Sequence, residues 1–329
     1  MLIYMADGRR LGGGFSDRLR GILSCYKFSK ENGFDFRINF THPFDIQHFL
    51  LPNLHDWRVT EGQLSYDPSV ANVFVCENEP GVLPEKEREE KWVENYFRKH
   101  LTPQPGKQWH VYTNSTLPGL DEKGCFNELF KLKPDLQSSV DQMVNTINRD
   151  GNYLSVATRF RNLLGDFRDT FFPLRELDTD EKRQLISACK SKIAEIWEEY
   201  HMPILVTSDS RSFLDALGDL NYVHTIPGKI AHLDTGNPDI EAHMKTLVDF
   251  FTISKAQRSY MLVGPGMYNG QFALRASRID GHPYEVLHVD CPEVEEGLKE
   301  YTHARQLPLW LQPSAIKVKL QLIWKGLVS

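Results

Sequence analysis

Four stretches of this 329-residue chain bring together residue types that can handle an anion or a proton. The first is Gly12-Gly13-Gly14-Phe15-Ser16-Asp17-Arg18-Leu19-Arg20-Gly21. A glycine run that opens a helix lets backbone N–H groups close on an anion, and the helix N-terminus adds its partial positive charge. Ser16 or Asp17 can equally serve as a plain helix cap. The run does not follow a clear strand in a GxGxxG pattern, and it lacks the GK[ST] ending of a P-loop. The second stretch is Thr158-Arg159-Phe160-Arg161-Asn162-Leu163-Leu164-Gly165-Asp166-Phe167. Two arginines two residues apart share one face if the strand before them continues that far. Each carries a planar fork of donors that matches phosphate oxygens in pairs, although surface ion pairing would use the same groups. The third is Val206-Thr207-Ser208-Asp209-Ser210, where Asp209 can accept hydrogen bonds from a nucleoside base or ribose, or Ser and Asp can cap the helix that follows. The fourth, Gly264-Pro265-Gly266-Met267-Tyr268-Asn269-Gly270-Gln271-Phe272-Ala273, reads as a glycine-rich turn into a helix, again with donors suited to phosphate.

These stretches need elements to hold them. In the first half, 34–40 (FDFRINF) alternates apolar and polar residues as a strand does, and 73–76 and 109–112 are short apolar runs of a buried sheet. Residues 85–100 carry balanced charges at helical spacing, the pattern of a solvated helix with no assigned role. The second half is more regular. Strand patterns at 153–158, 204–207, 222–226, 260–263 and 284–289 alternate with helical patterns at 180–200, 211–217, 239–254 and 270–279. That alternation means βαβ units on a parallel sheet, hence a Rossmann-like domain from about 151 to 290. The domain boundary falls at the polar turn Asn148-Arg149-Asp150-Gly151-Asn152. Ligands in such sheets bind outside the carboxyl ends of the strands. The loops after Thr158, Thr207, Ile226 and Val263 are where chemistry is expected.

Composition narrows the class. A chain this long exceeds one hydrophobic core, so two domains are expected: 1–150, and 151–303 followed by a C-terminal segment 304–329. The net charge of −6 is a poor match to nucleic acid, which is bound by basic surface. Five scattered cysteines without a CxxC pair argue against a zinc site or a disulfide framework. No secretory signal and no apolar stretch of membrane-spanning length are present, so a cytoplasmic protein is expected.

The order of the four stretches resembles the fucosyltransferase superfamily, which includes α1,6-, α1,2- and protein O-fucosyltransferases. The motifs that carry the likeness are the Gly-rich turn with Asp17-Arg18-Leu19, Arg159-x-Arg161 with Asp166-Phe167, Ser208-Asp209-Ser210, and Tyr268-Asn269-Gly270-Gln271-Phe272-Ala273. The resemblance is clearest over 151–280 and weaker around Gly12–Gly21. It implies an α/β GT-B fold, two Rossmann-like domains facing a central cleft, with fucose transferred from GDP-fucose to a glycan acceptor. Transfer would proceed with inversion and without a metal. Arg161 matches the arginine that clamps the GDP phosphates, and Arg159 stands where the family usually has His. The loop to Asp166 is about two residues longer than the family's. Ser208 and Asp209 match the segment that meets guanosine, and Asn269, Gly270 and Gln271 match the loop at the β-phosphate. Gly13 and Gly14 join them as nucleotide-sugar contacts.

In the expected single displacement, Arg161, Arg159 and the helix start at Gly270 stabilise charge growing on the leaving phosphate. Asp17 and Asp166 both remain candidates for the general base. Asp178-Thr179-Asp180 spells the DxD of metal-dependent glycosyltransferases, but Glu181 behind it makes a helix cap the better reading. The basic and aromatic residues of 304–329 suit packing back on the N-terminal domain, or peripheral contact with an anionic membrane surface; the expected acceptor is a glycan or a lipid-linked glycan. Rival functions are a transferase using another nucleotide sugar and a non-catalytic glycan- or sugar-nucleotide-binding module.

Overall fold

The computed structural model describes residues 1–10, 13–60, 62–77, 90–167, 175–230 and 239–304. The expectations for Gly12, for 85–89 and for the segment beyond 304 lie outside the described residues.

The chain divides into two compact units. The first comprises Met1–Gln137 and His232–His243; the second comprises Ser138–Ala231 and Met244–Ser329. In chain order the elements are β1 (Leu2–Ala6), α1 (Phe15–Asn32), β2 (Phe36–Phe40), β3 (Leu50–Pro52), β4 (Ala71–Cys76), α2 (Glu90–His100), β5 (Gln108–Thr113), α3 (Glu122–Leu129), β6 (Phe130–Leu132) and α4 (Pro134–Ile147). They continue with β7 (Leu154–Thr158), α5 (Thr179–Tyr200), β8 (Ile204–Ser208), α6 (Arg211–Ala216), β9 (Val223–His224), α7 (Ile240–Ser254), β10 (Arg258–Val263), α8 (Phe272–Asp280), β11 (Tyr284–His288) and α9 (Pro292–Ala304).

The first unit is built on a parallel sheet of order β2-β1-β5-β4, with a small antiparallel pair β3-β6 beside it. Strand β1, LIYMA, is buried along its whole length, as a central parallel strand must be when both faces are covered. The sequence pattern does not single this strand out, and it ends at Ala6, upstream of the glycine run. Helix α1 buries Phe15, Leu19, Ile22, Leu23 and Tyr26, an apolar stripe at three- and four-residue spacing. Its Gly21 is set by packing: a Cβ there would lie 2.0 Å from the Thr113 carbonyl oxygen at the end of β5. The helix ends at Gly33 with φ 71°, a left-handed cap whose N–H bonds to the Ser29 carbonyl.

The second unit carries a five-stranded sheet of order β11-β10-β7-β8-β9, with every neighbouring pair parallel. The chain runs outward from β7 through β8 to β9, then returns to the other side of β7 for β10 and β11. The order therefore reverses between β7 and β10, the switch point where such sheets hold ligands. Leu154, Val156, Ile204, Val206 and Leu262 of the strands pack with Leu185, Cys189 and Ile193 of α5 and Phe213 of α6 in one core. Helix α5 opens on a full capping box. The Asp178 side chain accepts from Asp180 N and Glu181 N, and the Glu181 side chain accepts from Asp178 N. The DxD tripeptide is thus a helix start. All five cysteines are buried and unpaired.

Candidate functional site

The residues of interest in the second unit lie on three loops at the carboxyl ends of β7, β8 and β10. The loop after β7 begins Arg159-Phe160-Arg161, and Arg161 has φ 54°, a left-handed conformation that non-glycine residues seldom adopt. The cause is next door. Asp209, directly after β8, accepts from Phe160 N at 2.8 Å with one carboxylate oxygen and from Arg161 N at 2.9 Å with the other. Two adjacent amides turned toward one carboxylate require just such a curl of the backbone. Burial pushes the Asp209 carboxyl above its ordinary value, against the opposing pull of the Arg159 charge and the two amides.

The loop after β10 fastens the other side. Met267 N donates to the Gly264 carbonyl at 3.0 Å to form a turn, and Tyr268 N donates to the Arg159 carbonyl at 2.9 Å. The Tyr268 ring lies against both guanidinium groups, 4.7 Å from that of Arg161 and 5.5 Å from that of Arg159. Phe167 lies 6.0 Å from the Arg159 guanidinium on a further side. Asn269 is exposed, Gly270 is buried with its N–H on the Tyr268 carbonyl at 2.9 Å, and Gln271 is the N-cap residue of α8. Gln271 makes no side-chain cap bond to α8, so among the described residues no side-chain acceptor meets its first-turn amides.

Asp166 lies farther along the β7 loop. It accepts from Ser210 Oγ at 2.9 Å, Ser212 N at 2.7 Å and Ser212 Oγ at 2.6 Å. Burial works against its ionised form, but the bonds from Ser212 and Ser210 outweigh it and hold the carboxyl below its ordinary value. Ser208 Oγ accepts from Ser210 N at 3.1 Å, and Ser210 caps α6 through a bond from Phe213 N at 3.2 Å. The chemistry available here is that of two planar guanidinium forks and an uncapped helix start converging at one sheet edge. That set suits the oxygens of a diphosphate.

In the first unit, Gly13 has φ 73° and Gly14 is the N-cap residue of α1 with no side-chain cap. Ser16 and Asp17 are therefore not caps of that helix. Asp17 is half-buried and pairs with Arg20 at 2.9 Å, and its Oδ2 lies 2.6 Å from where a Cβ on Gly13 would stand. Arg18 is buried, donating from Nε to the Gly13 carbonyl at 2.8 Å and from Nη1 to the His42 carbonyl. It holds the glycine turn in place.

The structure thus brings Arg159, Arg161, Asp166, Ser208, Asp209, Asn269, Gly270 and Gln271 to one edge of the second sheet, and Gly13, Gly14 and Asp17 to the start of α1 in the first unit. Tyr268 is the residue whose part was not visible from the sequence; the only signal was an aromatic side chain inside a phosphate-type loop. Among the described residues no group of three His, Cys, Asp or Glu side chains could hold a metal ion, and no helix is long and apolar enough to cross a membrane.

No protein-family model and no curated protein matches the sequence. Solved structures do. The NodZ alpha-1,6-fucosyltransferase of Bradyrhizobium, in crystals soaked with GDP-fucose, is 14% identical with a TM-score of 0.53 over 84% of this chain and 92% of that one. FUT1 of Arabidopsis thaliana, a mutant form in complex with GDP, is 11% identical with a TM-score of 0.54 over 88% of this chain and 70% of that one. The chain therefore has the α/β fold of these GT-B fucosyltransferase structures, as the resemblance of its motifs implied.

Proposed function

We propose that the protein is a glycosyltransferase that transfers fucose from GDP-fucose to a glycan acceptor, inverting the anomeric centre and requiring no metal. The observation that carries the reading is the pair Arg159 and Arg161, fixed beside the uncapped start of α8 at the sheet switch point. One structure of the same fold is named an alpha-1,6-fucosyltransferase and was soaked with GDP-fucose, and a second was solved in complex with GDP.

In the proposed reaction an acceptor hydroxyl oxygen attacks the anomeric carbon, the bond from that carbon to the diphosphate oxygen breaks, and GDP leaves with the electron pair. Arg161, Arg159 and the first-turn amides of α8, behind Gln271, offset the charge that grows on the leaving phosphate; fixed donors of this kind act without reorganising during the step. The acceptor's proton goes to Asp17, our choice between the two carboxylates, because Asp166 already receives three hydrogen bonds from Ser210 and Ser212. The nucleotide sugar is assigned to the domain from 151 onward and the acceptor side to residues 1–150.

Calorimetric titration with GDP, UDP and ADP in EDTA tests this, together with Arg161→Ala. Binding of GDP alone, abolished in the variant, is expected. Preference for UDP or ADP would replace fucose with another donor sugar, and GDP binding without turnover on any glycan would favour a non-catalytic module.

A further inference from the structure

We infer that Tyr268 is a positioning residue that sets the two guanidinium groups for a diphosphate before it arrives. The inference rests on the donor reading above and adds to it a residue to which that reading gave no role.

Tyr268 is tied to the arginine loop in two ways. Its N–H holds the Arg159 carbonyl at 2.9 Å, and its ring faces Arg161 at 4.7 Å and Arg159 at 5.5 Å. The backbone bond is independent of side-chain type, so the ring is the part selected. A ring attracts a guanidinium through its face. Two like charges brought to one place also repel, and contact of both with one ring lowers the cost of holding them together. An arginine loses up to about 2 kcal/mol of side-chain freedom when it is ordered. Meeting that cost in the folded protein rather than at binding raises affinity. The ring remains 38% exposed, so it is a platform at the surface and not a core side chain. Its replacement opens no cavity.

The test compares Tyr268→Phe, Tyr268→Leu and, as a second non-aromatic variant, Tyr268→Gln. Each is titrated with GDP and with GMP. The expected result is GDP affinity about tenfold weaker for Leu and Gln and within about twofold of the parent for Phe, given roughly 0.5–1 kcal/mol for each exposed cation–π contact. GMP, which has only one phosphate to engage the fork, weakens by less than about threefold, so the ratio of GDP to GMP affinity falls. A merely structural role would lower both nucleotides alike and leave the ratio in place, and that outcome overturns the inference. So does a leucine variant that binds GDP as tightly as the parent. A parent protein that binds neither nucleotide refutes the donor reading and this inference with it, a result distinct from loss confined to the variants.

Discussion

Asp209→Asn separates two roles for one carboxylate. The sequence offers Asp209 as a nucleoside contact or a helix cap, and the resemblance implies the former, while the structure shows its two oxygens holding the amides of Phe160 and Arg161 at 2.8 and 2.9 Å. An asparagine keeps one acceptor and turns an NH2 toward the other amide. One hydrogen bond to a charged group is lost, worth about 1.5–3 kcal/mol. Arg161 at φ 54° carries a left-handed penalty of roughly 1–2 kcal/mol for a non-glycine residue, which those bonds offset. With the clamp halved, the backbone relaxes and the guanidinium leaves its place. A deficit of about 1.5–3 kcal/mol lowers the binding-competent fraction about 10- to 100-fold, and apparent affinity falls by the same factor. Titration with GDP and with inorganic pyrophosphate reads it out. A backbone clamp predicts that both ligands weaken together, since the phosphate donors are what move. A guanosine contact predicts that GDP weakens and pyrophosphate does not, and that result, or GDP binding within about twofold of the parent, refutes the clamp. Protonation should imitate the substitution. Burial raises the Asp209 carboxyl, so its proton returns at a higher pH than for an exposed aspartate, and GDP affinity should begin to fall on acidification above the range where exposed aspartates titrate.

Three further outcomes are expected. Gly21→Ala should destabilise the first unit by about 1–3 kcal/mol, because a methyl 2.0 Å from the Thr113 carbonyl forces helix and strand apart; this exceeds the roughly 1 kcal/mol of helix propensity gained, and denaturant unfolding that shows an equal or more stable variant would contradict it. Asp178→Ala should cost about 1 kcal/mol of stability through loss of the capping box while leaving transfer in EDTA unchanged; a matching loss of activity restored by manganese or magnesium would return the DxD to metal binding. Asp249 is buried against Lys245, and burial raises its carboxyl from 3.8 to about 6. Between those values the native chain holds a proton that the unfolded chain has released, so this group favours folding at low pH and that contribution is lost as pH rises through about 6. Thermal unfolding of the parent should therefore lose ground to Asp249→Asn as pH rises from about 4 to about 6, and parallel profiles over that interval would refute it.

The second unit was the more legible half. Its apolar runs lie close to β7, β8, β10 and β11, because buried parallel strands are nearly continuous in Val, Ile and Leu and are bounded by turns. The first unit was not, and β1 shows why. LIYMA is five buried residues with no alternation and no turn residue before it, and a run that short does not distinguish strand from buried helix. The pattern therefore offers no strand ahead of the glycine run, whereas β1 ends at Ala6, upstream of it. Residue types at the second site were legible too: arginines and a glycine turn can be nominated from chemistry alone. Partnerships were not. Asp166 meets Ser210 and Ser212 across more than forty positions, and Asp209 meets Phe160 and Arg161 across nearly fifty. Local pattern carries no information at that range.

Those partnerships change what the carboxylates and the aromatic are for. The loop after β7 is fastened at three points: Asp209 holds the amides of Phe160 and Arg161, Tyr268 N–H holds the carbonyl of Arg159, and Asp166 ties the far end to the start of α6. Two of the fastenings reach the end of β8 and the third the end of β10, so the arginines are referenced to the sheet itself rather than to a free loop. Two aspartates nominated for direct contact with substrate bind their own chain, and an aromatic residue with no nominated part touches both guanidiniums. The pattern follows from what electrostatic stabilisation requires. Donors lower a barrier only if they need no reorganisation when charge develops, and a guanidinium on an unfastened loop would follow the charge instead of awaiting it. At 14% identity to a structure of the same fold, what should persist is therefore the set of ties that fix the donors. Loss of any one tie should weaken diphosphate binding even where the residue never touches the ligand.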